Sequence, residues 1–410
     1  MTNAAGYLLF IVFFGCIGLV ILNVVCWLLL CHFPGFFFPR KQRIAYDPIA
    51  VIGLYFKGQA YKWFGLSTQE EFDAFLKERR ASNNFSLEYE PCTEFRHAPF
   101  NSTYINISPH GFRHVENQGP WPPDRDNCNI FVFGGSNMFS WGMDTTTVAS
   151  FLQKSLDGCL DRLVRVYNFG RGSYFSTQEK MLFFRLLEQG QRPDYAIFFH
   201  GLNEFMRFDG TPITSRIYRE ALRRHYASVN EHDKAMGQGA VRWFRLWMFM
   251  RSLPLFTASA SLWRRLSGIR DDAPPSFMEY TPLSSAQVDA IVDRCLNNHR
   301  QIIAVSHAHG ITPTIVIQPH PTYKYDIACH KALIPGLGFM GNERAGDGYP
   351  ALLEAVHHAE FYGNSLLDLS GVQEGRKENL YMDEVHYTAD FSRELARMVA
   401  DALISGNGRT

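Results

Sequence analysis

A chain of 410 residues that is 46% hydrophobic can bury a sizeable core, as two or three domains or as one large domain with additions. Basic and acidic side chains number 40 each, and no long basic run occurs, so the sequence carries no electrostatic footprint for nucleic acid. The 8 cysteines show no CxxC spacing, which argues against a zinc site or a disulfide framework and leaves room for one isolated disulfide.

Residues 6–31 are almost wholly apolar and carry no charged side chain, more than the roughly 20 residues that span a bilayer. No Lys or Arg precedes the run, and large residues (Trp27-Leu28-Leu29-Leu30) continue to its end, which is unlike a cleaved signal peptide. The segment is therefore predicted to be an uncleaved transmembrane helix, a single-pass anchor. Arg40, Lys41 and Arg43 follow it, and the positive-inside tendency would put the bulk of the protein in the cytoplasm.

Residues 32–125 read as a polar, aromatic-rich lead-in that packs on the next domain as a collar. A helix is predicted over 68–80 with Ser67 as its cap. Asn84, Asn101 and Asn106 each open a glycosylation sequon, which matters only on a secretory route. The stretches 109–113 and 119–123 read as turns and extended loop.

From residue 126 to 410 strand and helix patterns alternate. Strands are predicted over 129–133, 164–169, 195–199, 311–318 and 365–369, and helices over 145–156, 177–188, 285–309, 349–358 and 390–404. Continuous apolar strands separated by helices indicate an α/β domain with a parallel sheet covered on both faces. No G-x-G-x-x-G and no P-loop follows any strand, so no nucleotide cofactor is expected. His307, His309, His320, His357 and His358 lack a Glu or Cys partner at ligand spacing, so no metal is expected either. A long excursion over 208–282 interrupts the alternation. Within 242–265 it interleaves Arg242, Arg245, Arg251, Arg264 and Arg265 with Trp243, Trp247 and Trp263. Such a helix lies on a membrane surface in one reading. In the other it packs its aromatics on the domain with its arginines solvated.

Four stretches fall at strand ends, where open α/β sheets bind ligands. They are Gly134-Gly135-Ser136, Asn168-Phe169-Gly170-Arg171-Gly172-Ser173, Gly201-Leu202-Asn203, and Asp383-Glu384-Val385-His386 before the last helix. Singly they read as a capped strand end, a glycine turn, an Asx turn and a helix entry. Together they make an acyl-transfer site. Ser136 is the nucleophile, His386 the base, and Asp383 the group that orients the imidazole. The backbone N–H of Ser136, that of Gly172 or Ser173, and the Asn203 amide form the oxyanion hole.

The four blocks, in this order over about 126–405, resemble the SGNH hydrolase family, also called GDSL esterases. The resemblance implies a flavodoxin-like three-layer α/β/α sandwich around a parallel sheet of about five strands, and ester hydrolysis without cofactor. The lead-in with Gly111-Phe112-Arg113 is similar to that of bacterial membrane-anchored members. In the second block the family pattern puts the oxyanion glycine five residues after the asparagine, where this chain has Ser173, one residue past Gly172. The charge bias after the segment is small and lies several residues past its end, and the expectation is a membrane-anchored serine esterase with an extracytoplasmic (periplasmic) catalytic domain, removing O-acetyl or similar groups from an acetylated polysaccharide. Alternatives are an O-acyltransferase with the same triad and a non-catalytic carbohydrate-binding scaffold. Membrane lipid is the expected partner of residues 6–31 and of the 242–265 stretch.

Overall fold

A computed structural model describes residues 2–32, 56–81, 86–212, 214–215, 253–256, 258–259, 280–334 and 338–407. The chain divides into two compact units, Met1–Tyr46 with Ile217–Pro274, and Asp47–Arg216 with Pro275–Thr410.

The first unit contains helix α1, Thr2–His32. Its side chains are described between Phe13 and Leu29 and at His32, and most of them are exposed apolar groups. Among the described residues no helix is long and apolar enough to cross a membrane. Asn23 is the polar residue of this stretch, and both ends of its amide are engaged. Nδ2 donates to the carbonyl of Leu19 at 2.9 Å, and Oδ1 accepts the N–H of Leu255, from the excursion, at 3.1 Å. The arginines and tryptophans of the 242–265 stretch all lie outside the described residues.

In the second unit a single helical turn, Ala60–Trp63, precedes helix α2, Gln69–Ala81. Its cap is Thr68, not Ser67: Thr68 Oγ1 accepts from Glu71 N and Glu71 Oε2 accepts from Thr68 N, both at 3.2 Å. This reciprocal pair is a capping box. A hairpin follows, β1 Leu87–Glu90 and β2 Glu94–His97, antiparallel.

The central sheet is built from β3 Cys128–Gly134, β4 Val164–Asn168, β5 Tyr195–His200, β6 Thr312–Ile317 and β7 Leu366–Asp368. All its pairings are parallel and the order is β4-β3-β5-β6-β7. Counted from the first strand of the sheet this is 2-1-3-4-5, the flavodoxin-like order. Between and after the strands come α3 Ser136–Phe139, α4 Val148–Leu156, α5 Ser176–Glu188, α6 Leu202–Met206, α7 Ser285–Ala308, α8 Glu343–His358 and α9 Ala389–Asn407.

Side-chain alternation assigns the two faces. Phe131, Phe133, Phe198, Ile315 and Ile317 point into one core with Phe183 of α5, Ile302 of α7 and Leu352 of α8. Ile130, Val132, Ile197, Phe199 and Val316 point into the other with Leu152 of α4 and Phe391 and Leu395 of α9. The result is a three-layer α/β/α sandwich. A third cluster, with Phe64, Phe72 and Phe75 from the lead-in, includes Phe139 of α3 and Met382.

Several boundaries differ from the sequence reading. The helix expected at 145 starts as a 3-10 turn, Asp144–Thr146, and α4 begins only after Thr147, whose Oγ1 accepts from Ser150 N. Helix α8 starts at Glu343 rather than 349, and runs through Gly346, Gly348 and Pro350. Tertiary packing selects the glycine at 348: a Cβ there would sit 1.9 Å from the Phe205 ring. No disulfide forms among the described residues, where Cys26, Cys92, Cys128, Cys159, Cys295 and Cys329 are free.

Candidate active site

Strand β3 has β4 on one side and β5 on the other, so the chain reverses its winding direction there. A crevice opens outside the carboxyl end of such a strand. Ser136 occupies that position, as the first residue of α3 directly after β3 and Gly135. Two surface cavities of about 430 and 520 Å³ lie beside Asn129, Asp194 and Thr312, at the amino ends of the strands and away from this crevice.

The glycine block docks onto the Ser136 turn through backbone contacts. Arg171 N–H donates to Gly134 O at 2.9 Å, and Asn168 Nδ2 donates to Met138 O at 2.7 Å. Asn168 Oδ1 accepts from Gly170 N–H at 2.9 Å. The approach requires glycine at 170, where a Cβ would lie 2.4 Å from the Phe139 nitrogen.

Asn203 sits on α6, just after β5. Its Nδ2 donates to Tyr174 O at 2.6 Å and lies so close to Gly135 that a Cβ there would be 2.2 Å away. The φ of Gly135 is −75°, open to any residue, so it is this close approach that calls for glycine. Behind the β5 end, His200 bonds Glu179 at 2.8 Å and His299 at 2.7 Å. Burial pulls the His200 imidazole down, but the Glu179 carboxylate outweighs it and holds it above its ordinary value.

Asp383 and His386 meet in the loop before α9. His386 Nδ1 lies 2.7 Å from both carboxylate oxygens. Asp383 Oδ1 also accepts the N–H groups of Val385 at 3.0 Å and His386 at 2.8 Å. Burial alone would push the Asp383 carboxyl up. The charge of His386 and the hydrogen bonds from His386 and Val385 outweigh it and hold the carboxyl below the usual range. With Nδ1 fixed on a carboxylate, Nε2 is the nitrogen aimed outward. It is buried and, among the described residues, makes no hydrogen bond to Ser136 or to any other group. Hydrogen bonds of this kind are often long without substrate.

Two contacts join the loops of Ser136 and His386. The Trp141 ring meets the His386 ring edge to face, with centroids 5.4 Å apart. Gln318, at the end of β6, accepts at Oε1 from Asn137 Nδ2 at 3.2 Å and from Tyr387 OH at 3.1 Å. The chain neighbours of Ser136 and His386 therefore share one amide oxygen. The two residues offered for the middle oxyanion position differ. Gly172 N–H donates to His97 Nε2 at 3.0 Å, whereas Ser173 carries a φ of 62° on the rim.

Three side chains escaped the sequence reading. Gln318 and His97 lie far from the motifs in sequence and carry no local signal. Arg113 was visible only as part of Gly111-Phe112-Arg113. Its buried guanidinium donates to the carbonyls of Phe139, Ser140 and Gly142 and pairs with Asp144. Three of the histidines weighed for metal binding are engaged in other contacts. His320 Nδ1 bonds Thr322 Oγ1 at 2.8 Å, His357 pairs with Asp368 at 3.0 Å, and His358 bonds Glu354 O at 2.7 Å. Among the described residues no His, Cys, Asp and Glu group is arranged to hold a metal.

No protein-family model and no curated protein matches this chain. Among solved structures it is similar to BT4096, described as a gut microbial diltiazem-metabolizing enzyme, at 12% identity and a TM-score of 0.35 over 68% of this chain. The match spans 47% of the length of that protein. It is also similar to a protein of Desulfitobacterium hafniense described as lipolytic and of the G-D-S-L family, at 10% identity and a TM-score of 0.32, over 67% of this chain and 99% of the other. A third is a lipase/acylhydrolase from Enterococcus faecalis, at 11% identity and a TM-score of 0.34, over 68% and 96% of the two chains. These likenesses are too remote to bear on what this chain does.

Proposed function

We propose that the chain is a serine esterase that hydrolyses acyl esters through Ser136, His386 and Asp383. The observation that carries the reading is His386. Its Nδ1 is fixed on a buried carboxylate, and its Nε2 is buried and unpartnered in a loop tied to that of Ser136 through Gln318 and Trp141. A base so oriented has a proton to accept only from a neighbouring hydroxyl or water. In the proposed reaction Ser136 Oγ attacks the ester carbonyl carbon while His386 Nε2 takes its proton. The N–H groups of Ser136 and Ser173 and the Asn203 amide receive the oxyanion. The C–O bond to the alcohol then breaks and His386 protonates the leaving oxygen. Water, deprotonated by the same nitrogen, releases the acid and restores Ser136. The small acyl group, O-acetyl on a carbohydrate, belongs to the proposal through the family resemblance alone.

A fluorophosphonate probe tests this directly. The purified chain should be labelled, and peptide mapping should find the adduct on Ser136. An unlabelled chain that still melts cooperatively would remove the nucleophile and leave the scaffold reading.

We further propose that α1 anchors the chain and that the excursion touches lipid, with the catalytic unit on the exported side. The apolar, uncharged run of residues 6–31 and the engagement of Asn23 by Leu255 support the anchor. A lipid-facing helix must satisfy its polar groups internally, and Asn23 does so. Carbonate washing should leave the full chain in the membrane fraction, and a C-terminal phosphatase fusion should be active. A chain freed by carbonate defeats the anchor. A silent fusion defeats the exported orientation and favours the one that Arg40, Lys41 and Arg43 suggest.

A further inference from the structure

We propose that His97, on the lead-in hairpin, is a positioning residue for the oxyanion hole; the inference rests on the serine-esterase reading above. The turn from Arg171 to Tyr174 is closed by Tyr174 N–H donating to Arg171 O at 3.2 Å. Its third residue, Ser173, has a φ of 62°. In a four-residue turn a positive φ at the third position goes with one orientation of the central peptide, and a negative φ with the flipped one. That central peptide carries the Ser173 N–H. The direction of the proposed oxyanion donor is therefore set by a conformation that glycine adopts freely and serine does not.

His97 opposes the flip. Its Nε2 accepts the Gly172 N–H at 3.0 Å, which fixes the peptide on the amino side of the central one. Its ring stacks on Phe139, centroids 4.2 Å apart and planes at 28°, and Phe139 ends the same one-turn helix that begins with Ser136. One imidazole thus ties the oxyanion turn to the nucleophile turn. The hydrogen bond also separates the two residues that the sequence left open. The Gly172 N–H is spent on structure, and the Ser173 N–H is the one left to meet substrate. The neighbouring Arg171 is locked from the same hairpin by its ion pair with Glu90, so the lead-in grips the turn at two successive residues.

The test is a cycle on the full chain, assayed with p-nitrophenyl acetate. His97→Ala should lower kcat by about a hundredfold with KM within about threefold, since the lost interaction acts on the transition state. His97→Gln presents an amide oxygen near the place of Nε2 and should retain activity within about threefold of the wild type. In a Ser173→Gly background, where positive φ has no steric cost, His97→Ala should cost less than about tenfold. Equal losses for Ala and Gln, or an undiminished loss in the glycine background, would overturn the proposal, as would a change confined to KM or to melting temperature. Wild-type turnover that survives Ser136→Ala would instead remove the underlying esterase reading, so the two failures are separable.

Discussion

Replacing Ser136 with alanine is expected to slow hydrolysis of p-nitrophenyl acetate by at least about 10⁴-fold while leaving the melting temperature within a few degrees of the wild type. The chemical half of this expectation follows from what the substitution removes. Without the hydroxyl there is no covalent intermediate, and His386 Nε2 has no proton to take. What survives is the oxyanion hole acting on water, because the Ser136 N–H is a backbone group and remains. The structural half follows from the surroundings of Ser136. Its backbone carbonyl accepts the Ser140 N–H at 2.7 Å, and that bond is unaffected by the side chain. Among the described residues no side-chain hydrogen bond of Ser136 holds the turn. Alanine also suits a helix start of this kind and introduces no new volume, so the cost to stability should stay near the small values typical of neutral sites. Circular dichroism melts beside initial rates make the check. Turnover within tenfold of the wild type would show that some other group attacks, and unfolding at assay temperature would show that Ser136 holds the turn together.

How much of this arrangement could be read from sequence depends on the kind of interaction that fixes each part. The strands were legible because a parallel sheet covered on both faces needs continuous apolar runs, and Cys128–Gly134 is buried at every position. The position of Ser136 and Asn203 just past β3 and β5 was legible because buried apolar runs mark where those strands end. The start of α8 was hidden. Gly346, Gly348 and Pro350 all disfavour a helix by local propensity, and only the packing against Phe205 explains the glycine at 348. The hairpin of β1 and β2 was hidden for a related reason. Leu87-Glu88-Tyr89-Glu90 and Glu94-Phe95-Arg96-His97 hold four charged residues and no β-branched one, so neither strand announces itself. His97 could not be found at all from a pattern. It meets Gly172 across 75 positions of sequence, and only the fold brings the two together.

The largest loss of stability is expected at Arg113. Its guanidinium is fully buried, and nothing solvates it except protein. Nη1 donates to Phe139 O at 2.7 Å and to Ser140 O, Nη2 to Gly142 O at 2.6 Å, and Nε to Asp144 Oδ1 at 2.9 Å. Three of these acceptors are the carbonyls at and just beyond the end of α3, which a one-turn helix cannot satisfy itself. Arg113→Met keeps the aliphatic stem but strands those carbonyls and leaves the Asp144 carboxylate with only the donors of Asn106 from this side, at 2.8 and 3.2 Å. Removing one partner of a buried pair costs about 3–5 kcal/mol, because the remaining charge stays desolvated. For a chain of this size that is on the order of 10 °C in melting temperature. Asp144→Asn in the same chain removes the stranded charge, so the double variant should melt above the Arg113→Met single variant, a departure from additivity. Lysine should restore little, since one ammonium cannot reach three carbonyls and a carboxylate as the planar fork does. A melting temperature within about 2 °C of the wild type would mean that water replaces the guanidinium, and that α3 is held by the Asn168 and Gly170 contacts instead. Activity gives a second readout. Arg113 holds the peptide that carries Trp141 against His386, so below the melting transition kcat of the Arg113→Met chain should fall even where the protein remains folded.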